Sequence, residues 1–384
     1  MNDSSFDVAV IGLGTMGTFA CLWLARRGAS VVGLDSFAPP HNRGSHSGDT
    51  RIYREAYTES PEYVPLAQRA GRLWDDLGRE TGATLLHRSG MLSIGEEFSR
   101  FIAGIQVSAV RHGLVLDRLS AADIQAKYPG LRPRAGNIGL FEPAAGWIDV
   151  NSALTRSIDL ARRIGADIRL NSRVEEWSRD GSGFTIRTSQ KTIHADRIII
   201  AAGAWASSVL RDVGVPLRVV RKTFIWVDPL APELFSAANF PVFAFADQFF
   251  YGFPPLLGKG VKLAIHLDEH AEMAAPDPPQ RAVERSEIEP VLARASKYMP
   301  ALAGDLPGAF DRVSATGTCL YTMTPDEHFV IDRHPAHENV WFAAGFSGHG
   351  FKFAPAIGEA LAELAIFGET EVPVGFLKIG SRFV

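Results

Sequence analysis

Short runs of β-branched residues alternate with stretches whose apolar residues recur at helical spacing. Val8, Val10 and Ile11 read as a strand buried on both faces, as in parallel sheets. After Gly12-Leu-Gly14-Thr-Met-Gly17, Phe19, Ala20, Trp23 and Leu24 predict a helix over Thr18 to Arg27. Arg26 and Arg27 fall in its last turn, and Gly28 is placed to cap it. Val31 to Leu34 is a second strand, ending at Asp35. Leu66, Ala70, Leu73, Trp74 and Leu77 mark a second helix. A strand over Gly90–Ile94 and helices over Phe101–His112 and Ala121–Tyr128 follow, then a helix over Val150–Ile164. Strands come next at Asp167–Leu170, Val174–Trp177 and, beyond a DGSG turn, Phe184–Arg187. The run Arg197-Ile-Ile-Ile-Ala-Ala-Gly203 is another buried parallel strand, ending at glycine.

The second half reads differently. Val219–Val227, Val242–Ala246 and Phe249–Phe253 mix β-branched and aromatic residues and predict an antiparallel sheet. PLLGKG is a turn before Val261–His266. There, alternation puts Lys262, Ala264 and His266 on one face and Val261, Leu263 and Ile265 on the other. The first face is either a solvated edge with ordinary charges or the wall of a cavity. APDPPQ is a loop, and Arg281 to Ala295 a helix. If the stretch from Thr316 is extended, Cys319 and Tyr321 share a face. Val340–Ala344, the glycine loop Gly345–Gly350 and a helix over Ala354–Phe367 form a second strand–loop–helix unit. The class is α/β (α+β overall). A discontinuous nucleotide-binding domain spans 1–84, 148–216 and 318–384, and a second domain with the antiparallel sheet spans 85–147 and 217–317.

Composition narrows this picture. A chain of 384 residues exceeds one hydrophobic core, so two domains are expected. A net charge of −4 gives no electrostatic basis for binding nucleic acid or an anionic membrane. No apolar run reaches membrane-spanning length. The polar start MNDSSFD does not read as a signal peptide, nor SRFV as a peroxisomal address. The two cysteines, Cys21 and Cys319, fit a reducing compartment, hence a cytoplasmic protein. No spacing typical of a zinc site occurs, and no metal is expected. Cys21, inside the first helix, reads as core packing.

The candidate chemistry starts at the first glycine loop. Strand, GxGxxG, helix, second strand and an acid about 20 residues further on form the dinucleotide fingerprint in its required context. Gly12 makes the tight turn, Gly14 admits a pyrophosphate, Gly17 lets helix and strand pack closely, and Asp35 suits a ribose diol. The helix N-terminus favours the pyrophosphate. FAD and NAD both fit this fingerprint. Arg51 and Arg54 follow a Pro-, Gly- and Ser-rich loop at the ligand edge of the sheet. They are either solvated or suited to a carboxylate, which a guanidinium fork binds through both oxygens.

Together, VIGLGTMG with Asp35, PPHNRGSHSGDTRIYREAY, YGFP with GVKLAIH, CLYTMTPDEHFVID and AAGFSGHGFKFAP resemble the monomeric sarcosine oxidase and N-methyltryptophan oxidase family. This family lies within the D-amino acid oxidase group of amine-oxidising flavoenzymes. The resemblance covers essentially the whole chain. It implies a glutathione-reductase-type FAD-binding Rossmann domain and a substrate domain whose antiparallel sheet covers the flavin. An NAD-dependent dehydrogenase would leave Cys319 and the C-terminal loop unexplained.

The implied cofactor is FAD, covalently attached through Cys319. The implied cofactor-binding residues are Gly12, Gly14, Thr15, Met16, Gly17, Asp35 and Ser36 in the first unit, with Ser45, Thr50 and Arg51 from the following loop. Val174, Ala202, Gly203 and Trp205 join them from the middle of the chain, and Gly345, Gly348, Gly350, Phe351 and Lys352 from the second glycine loop. Arg54 and Lys352 would hold the substrate carboxylate, with Tyr251 and Gly348 also contacting substrate. Lys262, His266, Arg51, Tyr251 and Tyr321 would form the catalytic set, with Lys262 activating oxygen. Where family members carry HHGDTR, this chain has His46-Ser47-Gly48, which bears on the flavin environment and on covalent attachment. The implied reaction is oxidation of a secondary amino acid by hydride transfer to flavin N5, imine hydrolysis and reduction of O2 to H2O2, by a monomer. Pipecolate, proline-like imino acids and fructosyl amino acids are alternative substrates, and a non-oxygen electron acceptor is an alternative oxidant.

Overall fold

A computed structural model of the chain describes residues 5–266, 272–277, 281–380 and 382–383. Residues 278–280 of the APDPPQ loop, together with the first four residues and parts of SRFV, lie outside the described residues. Among the described residues the chain builds two eight-stranded sheets and a small three-stranded one.

The first sheet runs Val174–Asp180, Gly183–Thr188, Thr192–Ile200, Ser5–Ile11, Val31–Leu34 and Asp167–Arg169. Val340–Ala344 also pairs with Thr192–Ile200 and carries Val330–Arg333 on its other side. Its centre is parallel: Ile11 lies opposite both Leu34 and Ile200, and Ile200 lies opposite Phe342. These strands therefore end side by side. Gly12, Asp35, Ala201 and Gly345, distant in sequence, emerge along one sheet edge, where ligands bind in open α/β sheets.

The helix Thr15–Arg26 begins directly after the first glycine loop and packs on Ala354–Phe367. It starts three residues before the predicted Thr18, because the Gly14 carbonyl already accepts the Thr18 N–H at 3.2 Å. The two helices cross closely at Gly358, where an added Cβ would lie 2.4 Å from Phe19 Cβ. Val150–Arg163 is capped by Asp149, which accepts the Ser152 N–H at 2.9 Å, and Arg100–His112 by Ser99.

The second sheet runs Val313–Met323, Arg218–Val227, Val261–Ile265, Phe250–Phe253, Val242–Phe245, Met91–Glu96, Asn137–Glu142 and Asp117–Ser120. It is not wholly antiparallel. Val242–Phe245 pairs with Met91–Glu96 in parallel, because two separate excursions of the chain meet at this seam. The strand Val313–Met323 runs unbroken through position 318. The helix expected from Arg281 begins at Arg285, after Glu284 and Glu287 form a capping box. Thr50–Tyr53, Gly146–Asp149 and Leu86–His87 form the small sheet. No helix among the described residues is long and apolar enough to cross a membrane.

Candidate active site

A cleft follows the parallel strand ends. Its floor is the first glycine loop: Gly12 has φ +93°, and a Cβ on Gly17 would lie 1.7 Å from the Gly12 carbonyl oxygen. Only glycine permits this approach. Gly14, Thr15, Met16, Asp35, Ser36, Ser45, Val174, Ala202, Gly203 and Trp205 line the cleft, and Gly345, Gly348, Gly350 and Phe351 close its far end. Gly17 does not line it and lies behind Gly12. Asp35 accepts the Leu13 N–H at 2.6 Å and the Phe37 N–H at 2.8 Å, so it also pins the glycine loop. Burial pushes its carboxyl up to about 6, against the pull of both N–H donors.

Arg51, Tyr321, Gly348 and Phe351 line this cleft and also a second, smaller chamber. Arg54, Lys352, Tyr251, His266 and Thr50 line that chamber. The solvated reading of Arg54 is excluded, since it is 3% exposed. Its guanidinium lies 4.4 Å from the centre of the Tyr57 ring and 5.5 Å from that of Phe249, and forks onto both oxygens of Glu59 at 2.9 and 3.0 Å. Burial alone would raise the Glu59 carboxyl. Arg54, aided by Lys352, instead holds it down at about 2.

Lys352 donates to the His349 carbonyl at 2.7 Å and to Tyr57 Oη at 3.3 Å. Burial, then the nearby Arg54 charge, lowers its ammonium to about 7. His349 Nε2 faces the Glu327 carbonyl at 3.0 Å, so that nitrogen carries the proton, and Nδ1 accepts from Tyr57 Oη at 2.7 Å. Glu142 reaches across from the second sheet to accept the Glu55 N–H at 2.6 Å and the Ala56 N–H at 3.3 Å, fixing the backbone that follows Arg54.

The strand Val261–Ile265 is buried on both faces, so the face carrying Lys262 is not a solvated edge. Lys262 itself lines neither chamber. It donates to the Thr50 carbonyl at 3.2 Å and to Thr50 Oγ1 at 3.3 Å. Phe224, Phe253 and Trp226 surround its ammonium, with ring centres at 4.7, 5.4 and 5.5 Å. Burial, then Arg51, lowers it to about 7. His266 lies 3.4 Å from Tyr321 Oη, and burial lowers it to about 3, so its ring is neutral at physiological pH.

Arg51 donates to the carbonyls of Ser45, Ser47 and Thr50 at 2.8, 2.6 and 2.9 Å. Position 47 therefore serves this arginine through its backbone, and the serine side chain does not enter that contact. His46 is buried in the cleft wall, where Nε2 accepts the His41 N–H at 3.0 Å. Cys319 lines neither chamber. Burial raises its thiol, while Arg51, Lys262 and Lys222 pull it down. Its strand neighbour Tyr321 lies against Gly348, where a Cβ would meet the ring at 2.1 Å.

Glu59, Tyr57, His349, Phe249 and Glu142 were not singled out in the sequence. His349 sits inside the GFSGHGFK run and Tyr57 ends REAY, but Glu59, five residues after Arg54, belongs to no motif, and Glu142 is recruited by backbone N–H groups distant in sequence. Away from these chambers, Asp212, His334 and His337 bring three potential ligand atoms within 4.8 Å. His334 Nδ1 accepts the Ala336 N–H at 3.2 Å. Its Nε2 lies 3.2 Å from an Asp212 carboxylate oxygen without making a hydrogen bond.

Residues 7–364 match the FAD dependent oxidoreductase family. The chain is 37% identical to monomeric sarcosine oxidase of Streptomyces avermitilis over 378 residues, covering 97% of this chain and 96% of that one. It is 36% identical to N-methyl-L-tryptophan oxidase of Salmonella dublin over 366 residues, covering 94% and 95%. The fold matches that of NikD, an unusual amino acid oxidase essential for nikkomycin biosynthesis, with TM-score 0.84 at 23% identity over 98% of this chain and 97% of that one. L-proline dehydrogenase from P. horikoshii matches with the same TM-score at 21% identity, again over 98% and 97%.

Proposed function

Because the chain belongs to the FAD dependent oxidoreductase family, we propose that it oxidises secondary amino acids, sarcosine (N-methylglycine) or another N-methyl amino acid, with oxygen as acceptor and hydrogen peroxide as product. The observation that carries this reading is the buried Arg54–Lys352 pair, set in a small chamber that shares four wall residues with the nucleotide cleft. The names of the relatives, sarcosine oxidase and N-methyl-L-tryptophan oxidase, point to the same substrate class.

The residues present fit FAD. Gly12 and Gly17 make a loop that a Cβ would block, the helix Thr15–Arg26 turns its N-terminus to the cleft, and Asp35 stands where a ribose would lie. Bound FAD supplies the acceptor for the two electrons of the substrate C–H bond and the route by which they reach oxygen. The protein's part is positioning and charge. Arg54 and Lys352 hold the substrate carboxylate, which displaces Glu59 from the guanidinium fork. That grip orients the amine end between Tyr251, His266 and Tyr321. Neutral His266 adds no charge to repel an approaching amine. Lys262, locked on Thr50, provides a cation below neutral pH for negative charge developing during oxygen reduction. Arg51 lies at the junction of cleft and chamber, where it would meet the ring of the cofactor.

Covalent attachment through Cys319 belongs to the same proposal. It is supported by the resemblance of the CLYTMTPDEHF run to the family's attachment motif, with Arg51 and Lys262 opposing the rise that burial imposes on the thiol. The protein is taken to act as a monomer in the cytoplasm, a reading supported by two buried free cysteines and by the name of the Streptomyces relative.

A peroxide-coupled screen tests the function. N-methyl amino acids, pipecolate, proline and fructosyl amino acids are offered under air, with dye reduction followed in parallel. The highest kcat/KM, with peroxide formed, is expected for an N-methyl amino acid. Absence of peroxide with every N-methyl amino acid overturns the reading, and dye reduction without peroxide would make the protein a dehydrogenase. Acid precipitation of the holoenzyme tests the tether: yellow colour should stay with the protein and be released from Cys319→Ala.

A further inference from the structure

The turn Asp247–Phe250 joins two strands of the second sheet, Val242–Phe245 and Phe250–Phe253, and both of its central residues have positive φ: Gln248 at +52° and Phe249 at +50°. The Phe250 N–H closes it on the Asp247 carbonyl at 3.0 Å. Hairpin turns of this kind ordinarily use Asn or Gly, and a bulky residue in the left-handed region is strained. Phe249 is held there by its carbonyl, which accepts the His266 N–H at 3.1 Å, and by the Phe101 ring, edge-on at 4.9 Å. Its own ring faces the substrate chamber, 5.1 Å from His266 and 5.5 Å from the Arg54 guanidinium.

The Arg54 guanidinium that would hold the substrate carboxylate lies 5.5 Å from the centre of that ring, so the ring borders the carboxylate end of the chamber. The nearby walls Tyr251 and Tyr321 bear hydroxyls that can take part in orientation, whereas Phe249 offers only bulk. We propose that Phe249, held in a strained turn against Phe101, is the residue that sets how large an α-substituent the substrate chamber accepts, restricting the enzyme to small N-methyl amino acids. This rests on the reading that Arg54 and Lys352 hold the substrate carboxylate.

Phe249→Gly and Phe249→Asn both tolerate positive φ, so they remove the ring without forcing the turn. The primary readout is the ratio of kcat/KM for N-methyl-L-phenylalanine to that for N-methylglycine, in holoenzyme of unchanged flavin content. A rise of at least fivefold in either variant is expected, and a smaller change in both overturns the proposal. A second readout needs no turnover: flavin difference spectra of the holoenzyme titrated with propanoate and with 3-phenylpropanoate. If the wild type oxidises neither amine, the amine-oxidase reading fails, and the size limit is then judged on binding alone. It stands if the variants gain at least fivefold in relative affinity for the larger carboxylate, and falls if they do not.

Discussion

Glu59 decides how the chamber meets its ligand. Its carboxylate occupies both donors of the Arg54 fork in the position that a substrate carboxylate would take. Glu59→Gln removes that competing charge at nearly constant volume. Affinity for simple carboxylate inhibitors, measured by flavin difference spectra, should rise about tenfold, roughly one charge-assisted hydrogen bond. Weaker binding would mean that Glu59 helps to build the anion site rather than compete for it. Lys262 gives a second prediction, this one in pH. With its ammonium at about 7, it is charged below neutrality and neutral above. The rate of flavin reoxidation by oxygen should therefore fall as pH rises through about 7. Lys262→Met should give a low and flat profile, while reduction by substrate changes far less. A reoxidation rate untouched by the substitution would remove Lys262 from oxygen chemistry. The sequence offered Arg51, Arg54, Lys262 and Lys352 through local motifs. Glu59 was not legible although it lies only five residues after Arg54, because no motif marks that acid and only the fold turns it back onto the guanidinium.

Close backbone approaches organise the elements. Glycines such as Gly17, against the Gly12 carbonyl, and Gly358, against Phe19, allow them. Gly358→Ala would drive a methyl into both the side chain and the backbone of Phe19, at 2.4 and 2.5 Å. Overpacking of this kind typically costs about 1–3 kcal/mol. A lower thermal midpoint with chamber kinetics nearly intact is expected, because helix Ala354–Phe367 follows the glycine loop rather than forming the chamber wall. An unchanged midpoint would show that the two helices can separate freely. Most strands and helices were readable from periodicity within a few residues. The parallel pairing of Val242–Phe245 with Met91–Glu96 was not, since it joins segments 151 residues apart whose own patterns are those of ordinary sheet strands. The burial of Lys262 was undecided for a related reason. Alternation shows which residues share a face, not what covers it.

Across the whole molecule, the cleft is assembled from segments near residues 12, 45, 202 and 348, each anchored in a different strand end or loop. A ligand that touches all of them stabilises the folded chain by mass action, about 2.7 kcal/mol at a hundredfold excess over its dissociation constant. FAD added to apoprotein should therefore raise the thermal midpoint in a saturable way, and a midpoint indifferent to FAD would contradict the cradle. The central claim is that Arg54 and Lys352 select substrates by an α-carboxylate next to the oxidised amine. It is tested most directly by the ratio of kcat/KM for N-methylglycine to that for its methyl ester in the wild-type holoenzyme. Two buried cations aimed at one carboxylate predict a ratio of at least about a hundredfold, collapsing toward unity in the double substitution Arg54→Met, Lys352→Met. Equal turnover of acid and ester by the wild type would contradict the account.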